Sequence, residues 1–145
     1  MKYCLRNMKC PADMKLLRNE VKFAQWANFI EKENPDVTVV VCDATCLERN
    51  LILVLKTLAV TRKVIVCVNL IDEAKKKGIT VDSEALSREL TVPVVLMSAR
   101  RGKGVEELLK AIVSGKFCEG KNEEKSIDET VNLAEKITKN SIFST

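Results

Sequence analysis

Two short polar clusters stand directly after apolar runs: Asn69-Leu70-Ile71-Asp72 follows Lys63 to Val68, and Ser98-Ala99-Arg100 follows Val92 to Met97. An ionised carboxylate accepts two neighbouring N–H donors in one bidentate bond, and the N1–H and exocyclic N2 amine of a guanine base are such a pair. Asp72 has the chemistry to read them. Asn69 is suited either to offer its amide to the base or to tie neighbouring loops together. The backbone N–H of Ala99 is suited to the base carbonyl, with Leu70 and Ser98 flanking the same positions. Adenine presents the reverse pattern of donors and acceptors on that edge, so the same carboxylate would reject it. An Asn-x-x-Asp spacing by itself is also what turns and helix caps use. The guanine reading gains from position, because ligands in an open parallel sheet bind beyond the carboxyl ends of the strands and both clusters follow strands of one sheet.

Those strands are legible as β-branched runs. Val37 to Cys42, Lys63 to Val68 and Val92 to Met97 are each nearly all apolar, as expected for strands covered on both faces of a parallel sheet. Between the first two, Leu47, Leu51, Val54, Leu55 and Leu58 recur at helical spacing within Cys46 to Ala59, which makes a βαβ unit. Glu73 to Lys77 and Ser83 to Leu90 read as helical, with Ser83 as a candidate N-cap after Asp82. Arg101-Gly102-Lys103-Gly104 reads as a turn, and Val105 to Val113 as a helix with Val105, Leu108, Leu109 and Ile112 on one face. Residues 36–114 are therefore expected to form β-α-β-α-β-α, a three-layer α/β arrangement with right-handed crossovers. Residues 12–33 read as a helix ended by Asn34-Pro35. From Lys116 the chain is polar, and a weak apolar period at Ile127, Val131, Leu133, Ala134 and Ile137 leaves it a loosely packed helix or a disordered end.

Composition narrows the function classes. The 145 residues hold 24 basic and 20 acidic side chains, a net charge of +4 spread along the chain, so no stretch concentrates positive field and nucleic acid is not an expected partner. Six cysteines without a C-x-x-C pair, and no histidine, do not make a zinc set. A nucleophilic Cys42 or Cys46 beside Asp43 would lack a histidine base, and an apolar run and a helix start account for the two thiols. Glu48 and Arg49 are placed to make surface pairs or fix the preceding loop. No apolar run approaches the ~20 residues of a membrane-spanning helix, and Met1 to Cys10 lack the apolar core of a secretory signal.

The segment Val-Val-Val-Cys-Asp-Ala-Thr-Cys-Leu-Glu-Arg-Asn-Leu at 39–51 resembles the ferrous iron transport protein B family, whose GTP-binding domain carries Asp-Ala-Thr-x-Leu-Glu-Arg-Asn-Leu. Val-Asn-Leu-Ile-Asp-Glu-Ala-Lys-Lys-Lys-Gly-Ile at 68–79 is similar to that family's base-reading motif, in which an aliphatic residue replaces the Lys of Asn-Lys-x-Asp, so Leu70 fits it. The similarity continues from Pro93 through Gly102-Lys103-Gly104-Val105-Glu106-Glu107-Leu108. It implies a partial Ras-like G domain at 36–114, preceded by a helical segment at 1–35 and followed by the polar tail at 115–145. It also implies GTP or GDP as ligand, guanine-binding residues Asn69, Leu70, Asp72, Ser98 and Ala99, and a place on the cytosolic face of the cell membrane.

The family's Gly-x-x-x-x-Gly-Lys-Ser phosphate loop, switch threonine and magnesium-contacting Asp-x-Pro-Gly do not occur among these residues. None of the Gly-Lys pairs, at 102–103, 115–116 and 120–121, completes Gly-x-x-x-x-Gly-Lys-Ser, and the pair at 102–103 reads as a turn before a helix. No Mg²⁺ site is identifiable, so negligible hydrolysis and no transport by this chain alone are expected. In the family's fold further strands pair beside Asp36 to Cys42. Without them that strand is expected to be an open edge, inviting self-association or pairing with an intact G domain.

Overall fold

The computed structural model describes residues 20–115, 117 and 127–144. Helix α1 (Glu20–Glu33) ends where Asn34 takes a φ of 42° and donates its N–H to Ile30 O at 2.9 Å. Residues 12–19 of the expected helix lie outside the described residues. Then come β1 (Thr38–Asp43), a 3-10 turn (Ala44–Cys46), α2 (Leu47–Leu58), β2 (Val64–Asn69), α3 (Ile71–Lys76) and β3 (Ile79–Val81). They are followed by α4 (Ser83–Leu90), β4 (Val94–Leu96), a second 3-10 turn (Ala99–Arg101), α5 (Val105–Ser114), α6 (Ile127–Ser141) and β5 (Ile142–Ser144).

The three apolar runs form one parallel sheet in the order β1-β2-β4. Alternation along β2 decides the layers. Val64, Val66 and Val68 join Val40 and Cys42 in a core with α2, α4 and α6, whereas Ile65 and Cys67 join Val37, Val95 and Met97 under Ile112 of α5. All five residues Val64 to Val68 are fully buried, which is why this strand shows no polar alternation in sequence. β4 (Val94–Leu96) starts later than the expected Val92 because Pro93 has no N–H to give the ladder. The pairing nevertheless runs past both ends of β4: Val66 N–H reaches Pro93 O at 3.0 Å and Met97 N–H reaches Val68 O at 2.8 Å.

A small antiparallel ribbon, β3 with β5, pairs Ile79 with Ser144 and Val81 with Ile142. It is clamped by Asp82 N–H on Ser141 O at 2.8 Å. This ribbon brings α6 back over α2 and α4, and Ala134 and Ile137 are buried in the larger core. Beside β4, Gly104, at φ +86°, passes so close that a Cβ would lie 2.3 Å from Leu96 O and 3.0 Å from Met97 Cα. The start of α5 is thereby fixed against the strand whose end carries Ser98.

Two stability outcomes follow. Ile137→Ala should cost about 3 kcal/mol in denaturant unfolding, the range of an aliphatic deletion in a core that cannot collapse; a change under about 0.5 kcal/mol would mean α6 is not part of the core. Gly104→Ala should cost about as much, from the left-handed backbone and the clash with Leu96 O together, and Gly102→Ala less. Gly102 also has a positive φ, but nothing lies within 4 Å of its added Cβ.

Candidate functional site at the carboxyl rim of the sheet

The register of β1 on β2 sets Asp43 opposite Asn69, and β2 pairs with β4 through Val68 and Leu96. All three loops that follow therefore leave from one rim of the sheet. The loop after β4 is the tightest. Ser98 and Lys103 form an antiparallel bridge, with N–H to O distances of 2.9 and 3.1 Å, and Arg101 N–H closes on Ser98 O at 3.0 Å. Asn69 Oδ1 accepts the N–H of Ala99 at 3.0 Å, so the asparagine ties the two loops together through its oxygen. The Ala99 N–H that sequence reasoning assigned to a base carbonyl points at Asn69 instead.

Leu70 stands between strand and helix in the left-handed region, φ 61° and ψ 33°, with its side chain partly exposed. A non-glycine residue there costs about 1–2 kcal/mol. The turn is held by Ile71 N–H on Met97 O at 3.2 Å and Ala74 N–H on Leu70 O at 3.0 Å. Its effect is to start α3 with Asp72 in the first turn, on the side of the Ser98 loop. Partial desolvation raises the Asp72 carboxyl, but the Ser98 hydroxyl, the N–H groups of Glu73 and of Asp72 itself, and the Arg101 charge outweigh it and hold the group below the ordinary carboxylate value. Ser98 Oγ is buried beside the Asp72 carboxylate and closes no hydrogen bond of standard geometry. Asn69, Leu70, Asp72, Ser98 and Ala99 thus all stand on the rim shared by β2 and β4, around an anionic acceptor.

The loop after β1 has a different character. Asp43 Oδ1 accepts the N–H and hydroxyl of Thr45 at 2.8 and 2.7 Å. Asn50, buried, donates to Cys46 O at 2.8 Å and accepts from Asp43 N–H at 3.4 Å. In the Asp-Ala-Thr-x-Leu-Glu-Arg-Asn segment the loop is fixed by Asn50, which the sequence reading passed over in favour of Glu48 and Arg49. Burial, then the Asp43 charge, pushes the Cys46 thiol up, and burial takes Cys67 to about 11. Both are protonated at neutral pH and make poor nucleophiles. Among the described residues no group of three or more His, Cys, Asp or Glu side chains is placed to hold a metal ion. An open depression lined by Glu84, Ser87, Arg88 and Pro93 lies at the other, amino-terminal end of β4, away from this rim.

A residue that sequence reasoning missed is Arg101. Its Nε lies 3.6 Å from Asp72 Oδ2, with the Arg101 side chain 65% exposed and that of Asp72 21% exposed. The pairing depends on the 3-10 turn that folds Arg101 back over Ser98, and no local pattern announces it.

A family profile described as ferrous iron transport protein B matches residues 17–112. The Fe(2+) transporter FeoB of Campylobacter jejuni is 43% identical over 86 residues, which are 59% of this chain and 14% of that protein. FeoB of Escherichia coli is 39% identical over 85 residues, 59% of this chain and 11% of that protein. The chain thus spans a small fraction of the length of the curated relatives it matches. Among solved structures, the G domain of FeoB from Methanococcus jannaschii is 38% identical with a TM-score of 0.62, covering 66% of this chain and 61% of that one. The cytosolic domain of T. maritima FeoB in its GMPPNP form has a TM-score of 0.68 at 21% identity, covering 76% and 69%, a likeness of fold. Among the described residues no helix is long and apolar enough to cross a membrane. With the family profile covering most of the sheet and both polar clusters, this chain belongs to the ferrous iron transport protein B family and has the partial, three-layer α/β fold of its G domain.

Proposed function

We propose that this chain is the guanine-reading part of a ferrous iron transporter's G domain, residues 36–114, working on the cytosolic side and binding GTP or GDP by the base. The observation that carries the reading is the placement of an ionised Asp72 beside Ser98, on a rim where Asn69 Oδ1 fixes the Ala99 loop. Asp72 accepts N1–H and the N2 amine, Leu70 offers an apolar edge beside the base plane, and Ser98 and Ala99 form the opposing wall. Asn69 acts by holding that wall. Solved relatives described in GDP and GMPPNP forms support a guanine nucleotide as the ligand. The 145 residues contain no complete Gly-x-x-x-x-Gly-Lys-Ser phosphate loop, so hydrolysis by this chain is negligible.

A second reading is a non-catalytic interaction module, and the edge of β1 favours it. Thr38 N–H points to Lys63 O across β2, so by alternation the backbone groups of Val39 and Val41 face away from the sheet. Among the described residues no strand lies beyond them. Val41 is 50% exposed, and on the same side of the sheet Val105, Leu109 and Val113 of α5 are exposed as well. The segment Thr38 to Cys42 carries none of the charges, prolines or bulges that protect edges. Pairing there with a second copy or with an intact G domain would cover it.

Calorimetric titration tests the first reading. GDP should bind and ADP should not, and Asp72→Asn should weaken GDP about tenfold or more, the loss of about 1.5–3 kcal/mol for a hydrogen bond to a charged acceptor. Because the Asp72 pKa is lowered, the anion is present above that value and lost only as pH falls through it. GDP selectivity should therefore be flat from about pH 5 to 8. Absence of GDP binding at millimolar concentration would remove the reading. For the second, sedimentation velocity should give a mass that rises with concentration, or on mixing with an intact FeoB G domain, and Val41→Lys should abolish the rise. A monomer under all these conditions would exclude it.

A further inference from the structure

The outward edge of β1 is symmetric about one residue. Thr38 N–H reaches Lys63 O at 2.7 Å, and Thr38, Val40 and Cys42 turn their backbone groups to β2, so both polar groups of Val39 and of Val41 point away from the sheet. The next outward N–H, that of Asp43, is taken by Asn50 Oδ1 at 3.4 Å, which ends the free edge at Val41. Side chains alternate in step. Val40 and Cys42 enter the core under α2, whereas Val37, Val39 and Val41 lie on the α5 side, Val37 buried, Val39 partly so and Val41 50% exposed. On α5, Leu108 and Ile112 face the sheet, and the exposed Val105, Leu109 and Val113 recur every fourth residue on the adjoining flank. With right-handed crossovers and α5 running back against the strands, that flank turns toward β1. Free edge and apolar flank therefore border one groove.

Resting on the interaction-module reading, we propose that a second copy of this chain closes the groove, its β1 antiparallel to the first with Val40 facing Val40 on the twofold axis. A closed pair must be antiparallel, because in-register parallel pairing would set Val39 against Val39, N–H meeting N–H rather than a carbonyl. With Val40 at the axis, Val39 exchanges both of its hydrogen bonds with the second copy's Val41, and Val41 with the second copy's Val39. Every free group of the edge is then used. Moving the axis to Val41 would oppose Val39 with Asp43, whose N–H is already bound, and moving it to Val39 would oppose Val41 with the buried Val37. The axis stands perpendicular to the sheet, so both α5 helices, each lying over its β2, come to one face. They are then three strand spacings apart, about 14 Å, with their Leu109 flanks toward each other over Val41. Packed helices stand about 8–10 Å apart, so this contact is partial, the buried area falls at the low end for specific pairs, and the dimer is transient.

Sedimentation velocity of the chain alone and amide exchange at low and high concentration test this together. The mass should rise toward that of a dimer, and Val41→Lys, which puts a charge on the half-exposed edge without entering the core, should weaken the association about tenfold or more. The amides of Val39 and Val41 should exchange at least about tenfold more slowly in the concentrated sample, while those of Val40 and Cys42, already bonded to β2, stay as they are. In a mixture of labelled and unlabelled copies, an isotope-filtered NOE should join the Hα protons of Val40 across the axis. A rising mass with unprotected Val39 and Val41 amides overturns the proposal, and so does protection without the Val40 contact or an undiminished rise in Val41→Lys. A monomer at every concentration overturns it as well. If that monomer still binds an intact FeoB G domain, the interaction-module reading stands without the second copy; if it binds none, both fall.

Discussion

Everything at the rim hangs from β2. Its five central residues are sealed between a helix on one face and three on the other, and its two neighbours pair with it in parallel register. A strand held in this way has no freedom to slip, since a shift of one residue would exchange the two faces and drive Ile65 and Cys67 into the space shaped for Val64, Val66 and Val68. Asn69 is the first residue to escape that constraint. It inherits a fixed position and passes it on through one hydrogen bond to the loop beyond β4. The polar residues after it are precise because the apolar residues before it cannot move.

Much of this was legible from the sequence for a simple reason: a buried parallel strand announces itself as an unbroken β-branched run. The three runs and the helix between the first two needed only local pattern, and the polar clusters were placed by what preceded them. The features that escaped were those made by contact between distant parts of the chain. β3 and β5 are three residues each, too short for a period, and each exists because the other does. The apolar positions of α6 looked weak because only Ala134 and Ile137 are wholly covered, while Val131 and Leu133 pack as partly buried neighbours. Gly104 read as an ordinary turn glycine, since nothing local shows that the β4 backbone passes within contact of it.

The rim itself was legible in composition but not in geometry. That Asp72 follows Asn69 by three is plain in the sequence, whereas the left-handed Leu70 that starts the helix at Ile71, two residues before the expected Glu73, is a matter of backbone strain. A leucine in that conformation is uphill. The surrounding bonds from Ile71 to Met97 and from Ala74 to Leu70 are what keep it there. Similarly, the loop tie made by Asn69 Oδ1 is set by where the Ala99 loop arrives rather than by anything in the Asn-x-x-Asp spacing.

The position of α6 has a consequence for how the molecule is made. The parallel sheet is complete in sequence by Leu96, yet one wall of its larger core comes from residues 127–141, which lie over α2 and α4. During synthesis from the amino end, the nascent chain therefore carries a finished set of strands with an unfinished wall until α6 has cleared the ribosome. Contacts between α2 and α6 bridge a longer stretch of sequence than those between β3 and β5, and such closures are slow. Over that interval the apolar face of α2 is open to chaperones or to other nascent chains. Slowing translation after residue 114 would lengthen this exposure without altering a single contact in the finished protein.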